Sequence, residues 1–173
     1  LLAENPDVRE RLHAEVDDVL GDAVPTMADL GSLSYTEQVV TEAMRYYPPV
    51  HRVVRETSED VQLRGRSVAA GSILTMPQWI VHRDSRWYDD PLEFRPERWA
   101  EDRDRPDYAY FPFGGGPRRC IGMRFAKLEA QLVLATIARR FRLELVGDGG
   151  PLELTSGVTA SPTDPVEMVP RVR

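Results

Sequence analysis

Apolar positions recur with a helical period twice near the start of this chain and once near its end, and with a strand period in between. Over residues 6–20, Val8, Leu12, Val16, Val19 and Leu20 form one stripe, which predicts an amphipathic helix. Asn5 ahead of it is a capping residue type, Pro6 suits the first helical position, Asp7 favours the positive end of the dipole, and Gly21 stops the run. "DAVPTMADLGSL" breaks the period and reads as a loop with one short helical turn. "YTEQVVTEAMRYY" restores it and predicts a second helix from Ser34 or Tyr35 to Tyr46, ended by Pro48-Pro49.

After the prolines the period changes. "VHRVVRET", "DVQLRG" and "SILTMP" are short, rich in β-branched residues and punctuated by Gly65 and Gly71, so they read as strands of a small antiparallel sheet. "QWIVHRD" reads as a helical turn. From Asp89 to Pro117 proline or glycine recurs every few residues with no sustained period, which predicts a long ordered meander of the kind that often carries function. A long helix is expected from about Cys120 to Phe141, with Phe125, Leu128, Leu132 and Ile137 on its apolar face. "FRLELV" and "VEMVPRVR" read as closing strands, the last kept at an edge by Pro170. "GDGGP" from Gly147 reads as a turn and not a phosphate loop, because no Lys or Ser/Thr pair follows it.

The fold class these patterns define is mainly α with small antiparallel β-sheets. Composition adds exclusions. The chain has 173 residues, 42% hydrophobic and 29% charged, which suits one core of ordinary size in a soluble globular protein. A net charge of −6 argues against nucleic acid as a partner. No apolar run approaches the roughly 20 residues that span a bilayer, which points to a soluble, cytoplasmic setting. The start "LLAENPDVRE" has neither Met nor a signal-peptide core and reads as a cut chain, whose upstream part could carry an anchor. One cysteine excludes an internal disulfide framework and any multi-cysteine metal site.

That cysteine, Cys120, follows three glycines, a proline, Arg118 and Arg119, and stands where the long helix is expected to begin. Unpaired amides at a helix start and two guanidinium groups stabilise an anion, which favours the thiolate over the thiol. Three readings of this loop are open. A lone cysteine is commonly a buried structural residue. It could be a nucleophile in an anion-binding loop, although the arginine expected six residues later is Ala126 here. Or it could be the single protein ligand of a heme iron, whose porphyrin supplies the other four donors.

More distant residues bear on the choice. Phe113, Gly116, Arg118, Cys120 and Gly122 stand in the order F-x-x-G-x-R-x-C-x-G. Glu42 and Arg45 form E-x-x-R within "TEAMRYYPP", a pair that by itself reads as a solvated helix face. "FRPERW", Phe94 to Trp99, lies between the two motifs. In this combination and order the chain strongly resembles the C-terminal part of a cytochrome P450, over essentially all 173 residues. It is expected to be one partial domain, 1–173, without the upstream oxygen-activating helix and most of the substrate pocket.

The resemblance implies heme b (iron protoporphyrin IX) ligated by the Cys120 thiolate. It implies a monooxygenase that inserts one atom of O2 into a small organic substrate, with electrons from a ferredoxin, a flavodoxin or a reductase, separate or fused. The alternative is a heme-binding fragment without turnover. Phe113, Gly116, Gly122 and Ala126 would border the heme, and Arg118 and Arg55 would face its propionates. Arg118, Arg119 and Arg124 would be candidates for docking the electron donor. Glu42, Arg45 and Arg98 resemble a buried structural network that holds the meander. Val50, Val53 and Val54 would line the substrate pocket. His13, His51 and His82 show no ligand spacing and are read as solvated or packing residues.

Overall fold

Helix α1 (Pro6–Leu20) carries its stripe where the sequence places it: Val8, Leu12, Val16 and Leu20 are buried, and Val19 packs beside them. The computed structural model describes residues 1–100, 105–147 and 152–173, so the 101–104 part of the meander and most of the turn expected over 147–151 lie outside the described residues. Gly21, at φ +51, ends α1 with its amide bonded to the Asp17 carbonyl. Asn5 does occupy the N-cap position, but it caps nothing with its side chain; its Nδ2 donates to the Leu1 carbonyl at 2.8 Å. A short 3₁₀ turn, Leu30–Ser32, leads into α2 (Ser34–Tyr46). Glu15 of α1 receives the amides of Tyr35 and Thr36 at 2.6 and 2.7 Å, so a neighbouring helix satisfies donors that the start of α2 leaves open.

Four strands follow: β1 (Val53–Glu56), β2 (Val61–Leu63), β3 (Arg66–Val68) and β4 (Ile73–Met76). They form two separate antiparallel pairs and not one sheet, β1 with β4 and β2 with β3. "DVQLRG" is therefore one arm of a hairpin. Arg64 (φ +48) and Gly65 (φ +78) make the two-residue turn that such hairpins favour, and "RSV" is the returning strand. The hairpin hangs from a closed neck. Thr57, buried, donates its amide to the Ser72 carbonyl (3.0 Å) and its hydroxyl to the Ala69 carbonyl (2.7 Å), and accepts the Gly71 amide (2.7 Å).

Helix α3 (Gln78–Val81) is a single turn, and the meander after it contains a 3₁₀ turn at Pro96–Trp99. Helix α4 runs Met123–Arg140, so it begins three residues later than expected, because the chain at Cys120 bends back to bond with Phe113. Its fully buried positions are Gln131, Ala135 and Ala138, whereas Phe125 and Ile137 of the expected apolar face are 69% and 36% exposed. Small side chains let α4 approach α1 and α2 closely, and the three helices enclose the main core with Leu33, Val39 and Phe94. Strand β5 (Phe141–Leu145) pairs with β8 (Met168–Val172), and β6 (Leu154–Ser156) with β7 (Ala160–Pro162), all antiparallel. No helix among the described residues is long and apolar enough to cross a membrane.

Candidate functional site

The site is built on a buried ion network. Glu42 and Arg45, one helical turn apart on α2, are both 0% exposed, and Arg98 from the Pro96–Trp99 turn is 2% exposed. Arg45 clasps the carboxylate in two-pronged fashion, Nε to Oε2 at 2.9 Å and Nη2 to Oε1 at 2.8 Å. Arg98 Nε adds a bond to Oε1 at 2.9 Å. Two further donors complete the shell, the Arg95 amide (3.0 Å) and the Trp99 indole (2.8 Å). Burial works to raise the Glu42 carboxyl, but the hydrogen bonds and charge of Arg45, with Arg95 and Arg98, outweigh it and hold the group below its ordinary value.

The two guanidinium groups then face outward onto backbone. Arg45 donates to the carbonyls of His82 and Pro91 (2.8 Å each) and Glu93 (3.0 Å). Arg98 donates to those of Asp89 (2.8 Å) and Asp90 (3.2 Å). The meander has few backbone partners of its own, and these cations stand in for them. Tyr88 donates its hydroxyl to the Ala109 carbonyl (2.8 Å) and Tyr110 to that of Thr41 (3.1 Å), which carries the same fastening toward the cysteine loop.

The loop itself is closed by three backbone bonds: Gly114 to Phe111 (2.9 Å), Arg119 to Gly116 (3.1 Å) and Cys120 to Phe113 (3.0 Å). Gly114 and Gly116 take φ of +70 and +65, which L side chains rarely adopt. At Gly115 the constraint is contact: a Cβ there would lie 2.1 Å from Tyr108 Cε1. Cys120 is exposed, with its sulfur 3.8 Å from where a Gly122 Cβ would stand. Gly122 is the residue that enters α4, so the amide-rich helix start lies just beyond the sulfur and not at it.

The other expected residues fall unevenly. Val53 adjoins the loop, its Cγ2 3.8 Å from the position of a Gly114 Cβ, and Arg55 shares that face of β1. Arg55 is exposed and donates Nη1 to the Val54 carbonyl (2.8 Å). Val54, on the opposite face, is 43% exposed, and Val50 is half-buried. Phe113 and Ala126 are half-buried, Ala126 in the first turn of α4. Arg118, Arg119 and Arg124 are exposed. Of the solvated and packing readings, His82 takes the packed one: it is 0% exposed, and it also accepts the Phe111 amide at Nε2 (3.0 Å). A lone histidine carries no spacing signal, and its partner is 29 residues away, so only the fold reveals it.

A large apolar groove, of about 600 Å³, lies elsewhere, between α1, α2, α4 and β5, with Val39, Ala43, Leu134 and Phe141 in its wall. It includes no residue of the 111–122 loop. Its lining is suited to packing, while the loop has the only thiol in the chain. Among the described residues no group of three or more His, Cys, Asp or Glu is placed to hold a metal by itself. An exposed thiol in a glycine-rich loop fits a planar cofactor that brings its own donors.

A buried Glu–Arg–Arg core that fastens a meander ending in a glycine-rich cysteine loop is the mark of one class of heme proteins. The family model described as "Cytochrome P450" matches residues 1–168, and the chain belongs to the cytochrome P450 family. Cyclooctatin synthase of Streptomyces melanosporofaciens is 38% identical over 180 aligned residues, covering 100% of this chain and 38% of that protein. Cyclooctat-9-en-7-ol 5-monooxygenase of the same organism is 42% identical, covering 84% of this chain and 32% of the relative. Cytochrome P450 4d2 of Drosophila melanogaster is 41% identical, covering 84% and 30%. The chain thus spans about a third of the length of these relatives.

Proposed function

We propose that this chain supplies the thiolate side of a heme monooxygenase, with Cys120 as the protein ligand of the iron. The observation that carries the reading is the exposed Cys120 sulfur, held by a closed loop that is fastened through the meander to Glu42, Arg45 and Arg98. Bound heme b would supply an iron that activates O2 for RH + O2 + 2e− + 2H+ → ROH + H2O. The chain's own work is placement. Gly122 keeps a side chain away from the sulfur, Gly114 and Gly116 supply the left-handed turns of the loop, and Phe113 and Ala126 would border the heme. Arg118 and Arg55 are the cations suited to the propionates, and guanidinium groups match carboxylates well. Val53 is the best placed of the three valines to meet a substrate. The exposed Arg118, Arg119 and Arg124 offer a docking patch to an acidic ferredoxin, flavodoxin or reductase. The named Streptomyces relative that is a monooxygenase supports the reaction type.

A second reading, heme binding without turnover, is favoured by the openness of this face. Ile121, next to Cys120, is 103% exposed and Phe125 is 69% exposed, whereas oxygen chemistry needs a dry site. One experiment separates the readings. The chain loaded with heme, reduced and exposed to carbon monoxide should show the strongly red-shifted absorption of a thiolate-bound iron, and Cys120→Ala should lose it. Loss of nothing on that substitution would end the ligand assignment, since no other thiol exists. With electrons and O2 supplied, the chain alone is expected to form no product; stoichiometric turnover would remove the second reading.

A further inference from the structure

We propose that His82, together with Gln78, is a positioning residue for the cysteine loop: the two side chains grip both backbone groups of Phe111, the residue from which the loop is hung. The inference rests on the assignment of Cys120 as heme ligand, and it adds how that ligand is set in place.

Gln78 and His82 are four residues apart, on one face of α3 and its cap, and both are 0% exposed. The Phe111 amide donates to His82 Nε2 at 3.0 Å, and Gln78 Nε2 donates to the Phe111 carbonyl. The Gly114 amide bonds to that same carbonyl (2.9 Å), and the Cys120 amide closes on Phe113 (3.0 Å). Only Pro112 therefore separates the gripped residue from the one that receives the cysteine. On its other side His82 is tied to the ion network, its carbonyl accepting Arg45 Nη1 at 2.8 Å. The path Glu42–Arg45–His82–Phe111 is continuous, and it delivers the position of α2 to the loop.

The chemistry suits the task. Phe111 lies in no strand, so its buried amide has no ladder partner and needs a side-chain acceptor. An imidazole that accepts at Nε2 must be neutral, with its proton on Nδ1. Burial, then the charges of Arg45 and Arg83, hold His82 down at about 4, so it remains an acceptor at neutral pH. Tyr110 and Phe111 flank the ring, each at 5.3 Å between centroids, and fix its plane. A packing histidine would need neither the tautomer nor the alignment.

The test is amide hydrogen exchange on the 173-residue chain without heme, comparing Phe111 and Cys120 with Val16 in the core of α1. His82→Leu keeps bulk and removes the acceptor; His82→Gln returns an oxygen close to the Nε2 position. Exchange at Phe111 and Cys120 should quicken about tenfold or more in His82→Leu with Val16 unchanged, and His82→Gln should restore most of the protection. Unchanged exchange at Cys120, or an equal rise at Val16, overturns the proposal. Should His82→Leu fail to fold, Gln78→Leu removes the grip on the carbonyl alone; it must quicken the same two amides, and protection as in the parent chain overturns the proposal equally. In the heme-loaded chain, the share of the reduced carbon monoxide complex in the red-shifted band should fall in His82→Leu and recover in His82→Gln. If the parent chain shows no such band, the ligand assignment fails while the exchange result stands by itself.

Discussion

The indole of Trp99 donates to Glu42 Oε2 at 2.8 Å across 57 residues of sequence. It is one of five hydrogen bonds on that carboxylate, two from Arg45 and one each from Arg98, the Arg95 amide and Trp99. A buried charge survives only with such a shell, and the shell here joins α2 to the turn that precedes the cysteine loop. Position of the loop and stability of the core are therefore one property and not two.

Arg45→Ala should be the most damaging change in this shell. It leaves Glu42 buried with half its charge compensation and strips a donor from three carbonyls. A loss of about 3–5 kcal/mol is expected, a large share of the 5–15 kcal/mol that ordinary domains possess. Trp99→Phe removes one bond to a charged acceptor and should cost about 1.5–3 kcal/mol. Urea unfolding midpoints measure both, and an Arg45→Ala chain as stable as Trp99→Phe would contradict the geometry.

Acid should weaken the fold through His82. Its folded value, about 4, lies below the ordinary 6.5. Between those values the unfolded chain binds the proton and the folded chain does not. Stability contributed by the neutral ring is therefore complete above about 6.5 and declines as pH falls toward about 4. The difference corresponds to about 3 kcal/mol at most. Unfolding followed from pH 7 to 4 should show this slope in the parent chain and a shallower one in His82→Gln, which has no proton to take up. Equal slopes would show that other groups carry the acid sensitivity.

Gly115→Ala should disturb the loop by collision and not by backbone strain, because its φ of −156 is ordinary extended backbone. The new methyl meets the ring of Tyr108, which is 59% exposed and free to swing away, so a cost of about 1 kcal/mol is expected. Tyr108→Gly removes the obstacle and also relieves a residue at φ +66. The double variant should be no less stable than Tyr108→Gly alone. A double variant that keeps the full penalty would mean that something other than the ring fills the space.

Periodic segments were legible and long-range fastenings were not. The stripe from Val8 to Leu20 locates α1 because a two-sided environment writes itself into every turn. The α4 face misleads, since Gln131, Ala135 and Ala138 are buried for their shape, which lets helices approach, while larger residues face outward. The hairpin at Arg64–Gly65 was hidden because arms of three residues are too short to show alternation. The grouping of Glu42, Arg45 and Arg98 is legible only through the resemblance of their motifs to a family, and the structure brings those three together. His82, Gln78 and Trp99 acquire their partners only in space, 29, 33 and 57 residues away, and no local pattern announces them.

The closed neck at Thr57 gives this architecture latitude for change. Hydrogen bonds to Ala69, Gly71 and Ser72 seal the base of the β2–β3 hairpin before the chain returns to β4. Lengthening the tip beyond Arg64–Gly65 would add only slowly growing loop entropy, and the seal would keep the change from reaching Val53 and Arg55. Evolution, or an engineer, could therefore graft a new segment there, to meet a partner or a surface, without moving the wall beside the cysteine loop. In a molecule whose meander and cysteine loop are fastened to one carboxylate, that hairpin is the place where novelty is cheap.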